Sequence, residues 1–594
     1  MHRRHFLKSA GVAAGGVLLA GPLTRPAYAA SPWDQVPAIL ARIVPPAFPD
    51  RTFDITAYGA VGDNTTDCTP AFAKAIAACN AAGGGTVLVP SGTYRTGKIH
   101  LLSDVNLHVD AGATVRFRSD AGSYLPTVFT RWQGIECYNY SPFIYAYGRT
   151  NVAITGPGTI DGNAAAGPWF GFDDKRGPDW DRLQQMAVDG VPVDQRRFGD
   201  GHYLKPNMIQ LYNCSNILIE DVHLRNPAMW TIHPVLSRNV TVRNVTVYSR
   251  GAMVDGCDPE SCADVLIEGC SFDTGDDGTV VKSGRDVDGR RVGVPSENIV
   301  IRNNAYYGRW GAITVGSEMS GGVRNVFAQD NRILSGSSYR SFYAVYIKTN
   351  NRRGGVVDGI HVRNLTGGPC DRGGLFVDMN YSLTGPGYGP VADPVVRNIT
   401  VDGLAVDDSP FAIKLSGSSV SHIANVTISN STFTSIDTPA PQISNADGVV
   451  LSNVRINGTL YGGGPKAVRY EAEDAAISQG AVAANHAGYS GTGFVDTVNV
   501  AGSHVEWTVS AASAGTATLL LRYANGATSG RPMDIAVNGT VVAAGKAFPG
   551  TGSWDAWASA TVTAQLRAGT NTVRATATTA EGCPNLDCLD VTGP

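Results

Sequence analysis

The stretch that decides the fold lies within residues 262–304, where CADVLIEGC begins at Cys262 and SENIVIRNN begins at Ser296. Each copy has one turn residue, then aliphatic residues alternating with other residues, then Asn or Gly, which is typical of a short strand followed by a tight bend. Seven further copies occur outside this stretch: CSNILIEDV at Cys214, SRNVTVRNV at Ser237, VRNVFAQDN at Val323, VDGIHVRNL at Val357, VRNITVDGL at Val396, IANVTISNS at Ile423 and ADGVVLSNV at Ala446.

The spacing of these copies indicates a solenoid. Their turn residues are separated by 23 to 39 residues, whereas an antiparallel sandwich would show turns about every 8–12 residues. Such repeats suit coils that bury their aliphatic faces only against their neighbours. We therefore predict an all-β chain built on a right-handed parallel β-helix, with an amphipathic helix over residues 69–82 capping its first coil.

The first residues predict export. Arg3 and Arg4 precede an apolar run, and Ala27-Tyr28-Ala29 is a small-x-small cleavage site, so residues 1–29 are interpreted as a twin-arginine signal peptide of a secreted protein. The apolar run is too short for a membrane anchor, since a spanning helix needs about 20 apolar residues.

Composition limits the partners of the protein. The 47 basic and 51 acidic residues give a net charge of -4, which shows no basic excess for nucleic acid. We expect neither nucleic-acid nor membrane binding, and a monomer. The ten cysteines suit an oxidising exterior, and the first disulfide candidates are Cys68/Cys79, Cys257/Cys262 and Cys583/Cys588.

A domain boundary is predicted where GGGPK interrupts the repeats. The β-helix domain then spans residues 30–461 and a linker spans residues 462–467. The alternating segments HVEWTVS, ATLLLRY, MDIAVNG and NTVRATA come after it, so residues 468–594 are predicted to form a separate β-sandwich of jelly-roll type.

Carboxylates are concentrated in one segment of the middle coils. Asp255 precedes Asp276 by about one coil, so the two are expected on adjacent rungs about 4.8 Å apart, with Asp277 beside them. Mutual repulsion should raise the proton affinity of one acid, which is the pairing of acid and base that glycoside hydrolysis requires. For Asp258 and Asp273, a place in a turn or at a structural cation is as good an explanation as a part in this chemistry.

The segments VDGCDPESC, FDTGDDGTVVKSGRD, VGSEMSGGVRNV and YIKTNNRRGG resemble the successive motifs of glycoside hydrolase family 28, the polygalacturonase family. The resemblance covers roughly residues 50–460 and implies an inverting hydrolase of pectic polysaccharide that needs no cofactor for catalysis. By the same resemblance Asp276 is the general acid, and Asp255 and Asp277 orient and deprotonate the attacking water.

The sequence departs from that family at three positions. Its usual asparagine before the first aspartate is Met253, its glycine-flanked histidine aligns with Trp310, and the arginine of its R-I-K motif aligns with Tyr346. Losing a cation while gaining aromatic residues predicts a modified or side-chain substrate rather than plain polygalacturonate, with coil packing as the alternative for both rings. The predicted substrate-binding residues are Trp230, His233, Trp310, Glu318, Tyr346 and Lys348.

The C-terminal segment resembles carbohydrate-binding modules of families 6 and 35 through YEAEDA, GYSGTGFVD, LRYANG and PNLDCLDV. That resemblance implies a structural calcium ion held by Glu471, Glu473 and Asp590. Candidate sugar contacts are Phe494, Trp554 and Asn585, with core packing an equal alternative for Phe494. The expected partner is a plant cell-wall glycan.

Two other functions compete with hydrolysis. A polysaccharide lyase shares the solenoid, but it needs calcium and a basic residue at a site that is acid-rich here. A non-catalytic glycan-binding protein would account for the altered histidine and arginine positions, but not for the retention of Asp255, Asp276 and Asp277.

Overall fold

The computed structural model of the protein describes residues 31–381, 389–463, 467–511 and 514–593. The predicted signal peptide, residues 1–29, lies outside the described residues, as do residues 464–466 of the predicted linker.

The described residues contain few helices. The α-helices are α1 (Val36–Arg42), α2 (Thr69–Ala81), α3 (Gly177–Val188) and α4 (Asp286–Val292). The 3-10 helices are Pro32–Gln35, Ile55–Tyr58, Ala121–Tyr124, Ala164–Ala166, Phe170–Phe172, Val193–Gln195 and Ala472–Asp474. Helix α2 is the predicted cap helix, and Phe72 and Ile76 on its apolar side are buried. No helix in the described part of the chain is long and apolar enough to span a membrane.

Two long sheets run the length of the solenoid. The first is parallel throughout and has thirteen strands: Thr52–Asp54, Gly85–Val89, Val105–Val109, Thr150–Thr155, Ser215–Glu220, Arg238–Arg243, Ala263–Glu268, Ser296–Arg302, Val323–Gln329, Val356–Arg363, Val395–Asp402, Ile423–Ser429 and Ala446–Ser452. The second has fourteen, of which the last pairs antiparallel: Asp63–Asp67, Gly92–Thr96, Ala113–Phe117, Thr159–Asp161, His223–Arg225, Thr246–Tyr248, Ser271–Asp273, Ala305–Tyr306, Arg332–Ile333, Thr366–Gly367, Ala405–Phe411, Thr432–Thr438, Val454–Ile456 and Thr459–Tyr461.

The remaining side of the solenoid, here called the third face, consists of two shorter parallel sheets. The four-stranded sheet contains Ile99–His100, Ile144–Tyr147, Ile209–Tyr212 and Ile232–Val235. The six-stranded sheet contains Thr279–Val281, Gly311–Gly316, Ser341–Lys348, Cys370–Asp378, Ile413–Ser416 and Gln442–Ser444. Isolated bridges of Cys257 to Ile232 and to Thr279 join the two sheets. The three sides together confirm the predicted parallel β-helix.

The core consists of aliphatic side chains stacked from coil to coil. In the first long sheet Val240, Val265, Ile299, Val326 and Ile360 occupy successive rungs in register, and each is buried. Burying one such side chain stabilises the fold by about 1.5–3 kcal/mol, so the repeated aliphatic positions of the sequence supply most of the cohesion between coils.

The predicted turn residues share one backbone conformation. All nine have positive φ angles, between 53° and 74°, a region that Gly, Asn and Asp enter at the lowest cost. The asparagines also stack: Asn216 donates a side-chain hydrogen bond to Asn151 (2.9 Å) and accepts one from Asn239 (2.8 Å). We call this row of hydrogen-bonded asparagines the asparagine ladder. It explains why most repeats use Asn at a position where Gly would satisfy the backbone equally well.

The predicted disulfides are wrong, because all ten cysteines are free and buried. The thiols of Cys68 and Cys262 point at separate carbonyl oxygens: Cys68 Sγ lies 3.4 Å from the oxygen of Val61, and Cys262 Sγ lies 3.2 Å from that of Pro234. These cysteines serve as small apolar core residues.

An insertion covers the outer surface of the four-stranded sheet. The hairpin of Val128–Trp132 and Ile135–Asn139 lies on that sheet through Thr130, which donates to Gln210 (2.5 Å), and through Arg131, which pairs with Glu260 (3.2 Å). Helix α3 packs on the hairpin, with the rings of Trp132 and Trp180 4.9 Å apart. The third face is therefore covered from the coil of Gln210 to that of Glu260.

The C-terminal module is a β-sandwich of two antiparallel sheets around a core of its own. One sheet contains Val468–Glu471, Gly480–Ala483, Phe494–Thr497, Gly515–Ala524, Trp557–Leu566 and Asn585–Thr592. The other contains Ala476–Ser478, His504–Ala511, Met533–Val537, Thr540–Lys546 and Gly569–Ala577.

The asparagine ladder gives a test of what holds the coils in register. Asn216→Ala removes two ladder hydrogen bonds and leaves a Cβ atom at positive φ, so we expect a loss of about 1–3 kcal/mol in the free energy of unfolding. Asn216→Gly removes the same bonds without the backbone strain and should cost less. Urea denaturation of both variants measures the difference, and an equal or larger loss for Asn216→Gly would contradict the backbone part of the explanation.

Candidate active site

The three predicted catalytic aspartates lie where the two sheets of the third face meet. Cys257 is bridged to Thr279 on the next coil. Asp255 and Asp277 each lie two residues before these bridged residues, so they lie opposite each other on neighbouring coils. Carboxylate oxygens from Asp255, Asp276 and Asp277 all lie within 4.8 Å of one another. The expected cluster therefore forms, with Asp277 rather than Asp276 in register with Asp255.

A tight bend turns the adjacent acids Asp276 and Asp277 toward the same place. Its flanking glycines leave no room for side chains: a Cβ atom on Gly275 would lie 2.5 Å from the carbonyl oxygen of Gly251, and one on Gly278 would lie 2.5 Å from the ring of Tyr306. On a regular strand two neighbouring side chains would point to opposite faces, so the bend is what brings these two carboxylates together.

Asp276 is arranged to hold a proton at a higher pH than an ordinary aspartic acid does. Burial and the neighbouring Asp277 raise its pKa to about 6, against opposing effects of Lys348 and Lys282. Its oxygens accept hydrogen bonds from the backbone N–H groups of Met253 (3.2 Å) and Asp277 (3.0 Å). Met253, where the resembled family has asparagine, thus still contacts the acid through its backbone.

Asp277 is arranged as a hydrogen-bond acceptor. Its Oδ1 accepts from the backbone N–H of Gly311 (2.8 Å) and the hydroxyl of Thr314 (3.1 Å), and its Oδ2 pairs with Lys348 Nζ (2.7 Å). A hydrogen bond between an ionised donor and a carboxylate is stronger than one between neutral groups, so Lys348 fixes the position of the Asp277 side chain. Asp276 and Asp277, though adjacent, have opposite surroundings.

Asp255 differs from the expected water-activating base. Burial, together with the carboxylates of Asp258 and Asp276, raises its pKa well above the ordinary value, although Lys282 lies 3.7 Å away. Asp258 is fully buried beside it, and burial raises its pKa in the same direction. Asp255 therefore favours its protonated form more than an ordinary aspartic acid does. Asp273, by contrast, pairs with Arg250 (2.9 Å) at the second long sheet, in a structural role.

The acids open into a cavity of about 260 Å³. Its lining includes the three predicted catalytic aspartates and several residues that the sequence analysis did not predict. The lining consists of Gln133, Arg176, Trp180, Trp230, Met253, Asp255, Asp276, Asp277, Lys282, Arg285, Ser317, Glu318, Lys348 and Tyr381. Lys282, a lone charge directly after an apolar strand, carried a signal in the sequence; Gln133, Arg176 and Trp180 lie on the insertion, outside the repeats.

The cations of the cavity are paired with carboxylates. Burial opposes the ionisation of Glu318, but Lys282, Arg285 and Arg353 outweigh it and hold its pKa below the usual range. The ion pairs are Arg176–Asp173 (3.5 Å), Lys282–Glu318 (3.1 Å), Arg285–Glu318 (3.1 Å) and Lys348–Asp277 (2.7 Å). Lys348, a predicted substrate-binding residue, is therefore paired with Asp277, a predicted catalytic residue.

Of the predicted residues on the preceding coil, Trp230 reaches the cavity and His233 does not. The Trp230 ring lies 4.4 Å from Lys282 Nζ and helps to line the cavity. His233 is fully buried, and its Nε2 lies 2.7 Å from a Glu260 oxygen. Burial lowers the pKa of His233, so it remains a neutral residue of the coil wall.

Trp310 and Tyr346 lie beside the cavity rather than in its lining. Tyr346 is 3% exposed and stacks on Phe376 at 5.5 Å, so packing within the third face is its main role. Trp310 is half-buried, immediately before the Gly311 N–H that binds Asp277. Lys348 Nζ lies 5.7 Å from the Trp310 ring.

The predicted sugar contacts of the module are divided between core and surface. Phe494 is fully buried against Trp557, and Asn585 is 3% exposed in the last strand, so neither presents a free surface. Trp554 is half-buried, with Arg531 5.1 Å from its ring. Trp554 is thus the accessible member of the predicted set.

The predicted calcium ligands are likewise divided. Glu471 accepts a hydrogen bond from the Ser490 hydroxyl (2.8 Å), and Glu473 accepts one from the Thr492 N–H (2.5 Å), so both face one loop. Asp590 lies elsewhere, paired with Arg469 (2.7 Å). Its strand alternates, so Asp587, three residues earlier, faces the Ser490 loop instead (2.7 Å).

Two family models match successive parts of the chain. The model of the glycosyl hydrolases of family 28 matches residues 79–453, and that of carbohydrate binding module family 35 matches residues 468–593. Of the two module families that the sequence resembles, family 35 is therefore supported. A 120-residue segment, 20% of this chain and 12% of its relative, is 59% identical to an exo-beta-D-glucosaminidase of Amycolatopsis orientalis.

The solenoid has relatives of similar length. A probable polygalacturonase of Vitis vinifera is 31% identical over 388 residues, covering 63% of this chain and 72% of the relative. The crystal structure of an exopolygalacturonase from Thermotoga maritima is 39% identical with a TM-score of 0.68, covering 72% of this chain and 96% of that one. The family match covers more than half of the chain and includes the aspartate cluster. The chain belongs to glycoside hydrolase family 28 and is a glycoside hydrolase.

Proposed function

We propose that the protein is an inverting hydrolase of pectic polysaccharide. The observation that carries the proposal is the contrast between Asp276, whose pKa is raised to about 6, and Asp277, which three donors hold as an acceptor. A proton donor beside a carboxylate that accepts hydrogen bonds is the pair that glycoside hydrolysis needs.

The environments of the carboxylates suggest a separate role for each. Asp276 protonates the leaving glycosidic oxygen as its bond to the anomeric carbon breaks. Asp277 takes a proton from the water whose oxygen bonds to that carbon on the opposite side. Asp255, whose pKa is raised by burial and by Asp258 and Asp276, orients this water by hydrogen bonding. This division revises the expectation that Asp255 and Asp277 share the work of the base.

We further propose that the enzyme cleaves from a chain end. The hairpin and α3 cover the third face up to the cavity, and their residues Gln133 and Trp180 line it. Arg285 lies 4.6 Å from the Trp180 ring, which fixes this wall to the segment after the acids. The relative from Thermotoga maritima is described as an exopolygalacturonase, which supports the same mode of action. The altered positions Trp310 and Tyr346 support a substrate that differs from plain polygalacturonate.

For the module we propose glycan binding with a structural calcium ion. Glu473 Oε2 is buried without a hydrogen-bond partner among the residues that the structure describes, and the pKa of Glu471 is raised by burial and by the nearby Glu473 and Asp587. A hard divalent cation would satisfy that oxygen and relieve the repulsion. Glu471 and Glu473 are the proposed ligands; Asp590 is not.

We also propose export by the twin-arginine route to an extracellular substrate in the plant cell wall. The paired arginines Arg3 and Arg4, the apolar run and the small-x-small site support it.

The proposed reaction is tested with a panel of polygalacturonan, rhamnogalacturonan, xylogalacturonan and neutral pectic side chains. We expect hydrolysis of an acidic pectic glycan, release of sugar from chain ends, and a product of inverted anomeric configuration in ¹H NMR recorded during the first turnovers. Asp276→Asn should lower kcat by about 10³-fold or more, since it removes the acid. Full activity of this variant, or a retained configuration, would refute the assignment, and Asp273→Asn is the matched control.

The pH dependence of the reaction depends on Asp276. Because its pKa is raised to about 6 and the acid acts in its protonated form, kcat/KM should fall tenfold per pH unit above about pH 6. A pH–rate profile measures this limb. A rate that stays constant from pH 5 to pH 8 would show that another group supplies the proton.

Calcium binding is tested on the stability of the intact protein. A chelator should lower the unfolding temperature of the module in a calorimetric scan, and added Ca²⁺ should restore it, because a ligand that binds only the folded state stabilises it. Glu473→Gln should weaken this response, whereas Asp590→Asn should leave it. Loss of the response in Asp590→Asn alone would reverse the choice of ligands.

A further inference from the structure

A cluster of aromatic side chains lies on the outer surface of the six-stranded sheet, beside the cavity. We call it the aromatic shelf; it consists of Trp310, Phe342, Tyr343, Tyr346, Phe376, Tyr381 and Phe411. The cluster is separate from the main core, and Trp310, Phe376 and Phe411 are half-buried rather than enclosed. Every member is aromatic, which interior packing of aliphatic coils does not require.

Two cations lie over the shelf. The Arg372 guanidinium is 4.0 Å from the ring centre of Phe342 and 5.1 Å from that of Trp310. Lys414 Nζ is 5.1 Å from the ring centre of Phe376. Arg372 is exposed and Lys414 half-buried, and within the described ranges neither forms an ion pair with a carboxylate. The cations of the cavity, in contrast, are each paired with a carboxylate.

The shelf continues the cavity in the direction that is left open. Tyr346, Phe376 and Lys414 occupy the same register position on successive strands, leading away from the coil of Asp277. On the opposite side of the acids the hairpin covers the third face. A polysaccharide with one end in the cavity would therefore extend over the shelf.

We propose that the shelf is a subsite for an acidic sugar of the polymer, in which Arg372 and Lys414 bind uronate carboxylates and the rings of Trp310 and Phe376 support the sugar faces. The inference rests on the proposed function. The R-I-K arginine position holds Tyr346, and the cavity cations are paired with protein carboxylates. The positive charge that would select a uronate is therefore supplied by Arg372 and Lys414 on the neighbouring strands.

The shelf is tested with the double variant Arg372→Gln/Lys414→Gln in the full chain. We expect KM for tetragalacturonate to rise about tenfold with little change in kcat, and KM for digalacturonate to stay as in the parent, because only the longer substrate reaches the shelf. Raising the salt concentration should reduce the difference between the two proteins, since it screens exposed charges. Methyl-esterified tetragalacturonate should show no difference.

The matched control is Arg363→Gln. Arg363 lies on the first long sheet, away from the acids, with its guanidinium 4.0 Å from the Trp33 ring centre. Its substitution should leave both KM values unchanged. An unchanged KM for tetragalacturonate in an active double variant would overturn the shelf alone. If the parent hydrolyses none of these oligomers, the panel of pectic glycans decides on the proposed function. Binding of tetragalacturonate to the parent and double variant, measured by calorimetry, then decides on the shelf, since the module contributes equally in both.

Discussion

The hydrogen-bonded register between successive coils is the constraint on which the rest of the structure depends. Asp255 and Asp277 lie on successive coils, and the bridge from Cys257 to Thr279 stacks them one rung apart. A slip of one residue would turn every aliphatic side chain of a strand away from the core. The same requirement that fills the interior therefore fixes the carboxylates, to a precision that a site on separate loops would lack.

Charge pairing decides what each acidic group can do. Lys348 neutralises Asp277, and Lys282 is shared by Glu318 and the buried acids near Asp255. Three carboxylates within 4.8 Å would otherwise repel one another strongly. Lys348 pairs with Asp277 at 2.7 Å, whereas Asp276 has no such pairing among the described residues, so the two adjacent carboxylates have different surroundings.

Periodic features of the molecule could be predicted from the sequence, whereas features set by local packing could not. The turn positions, the solenoid and the aspartate cluster were predictable because each recurs with the coil or lies within a recognisable motif. Whether His233 or Tyr346 faces the substrate depends on local packing, which spacing does not reveal. Arg176 and Trp180 belong to an insertion without repeats, so no pattern indicated them. The cysteine pairs show the opposite error, since proximity in sequence was not proximity of thiols.

The insertion over the first coils has a consequence for turnover. If a polymer end enters a cavity walled by Gln133 and Trp180, the sugar released there has the polymer behind it as well as the wall in front. It can leave only after the shortened chain has withdrawn across the shelf. Each cleavage would then be followed by dissociation and re-entry, so sugars would be removed one at a time from many chains in parallel, and a glycan-binding module would matter most in keeping the enzyme near fresh ends between these visits.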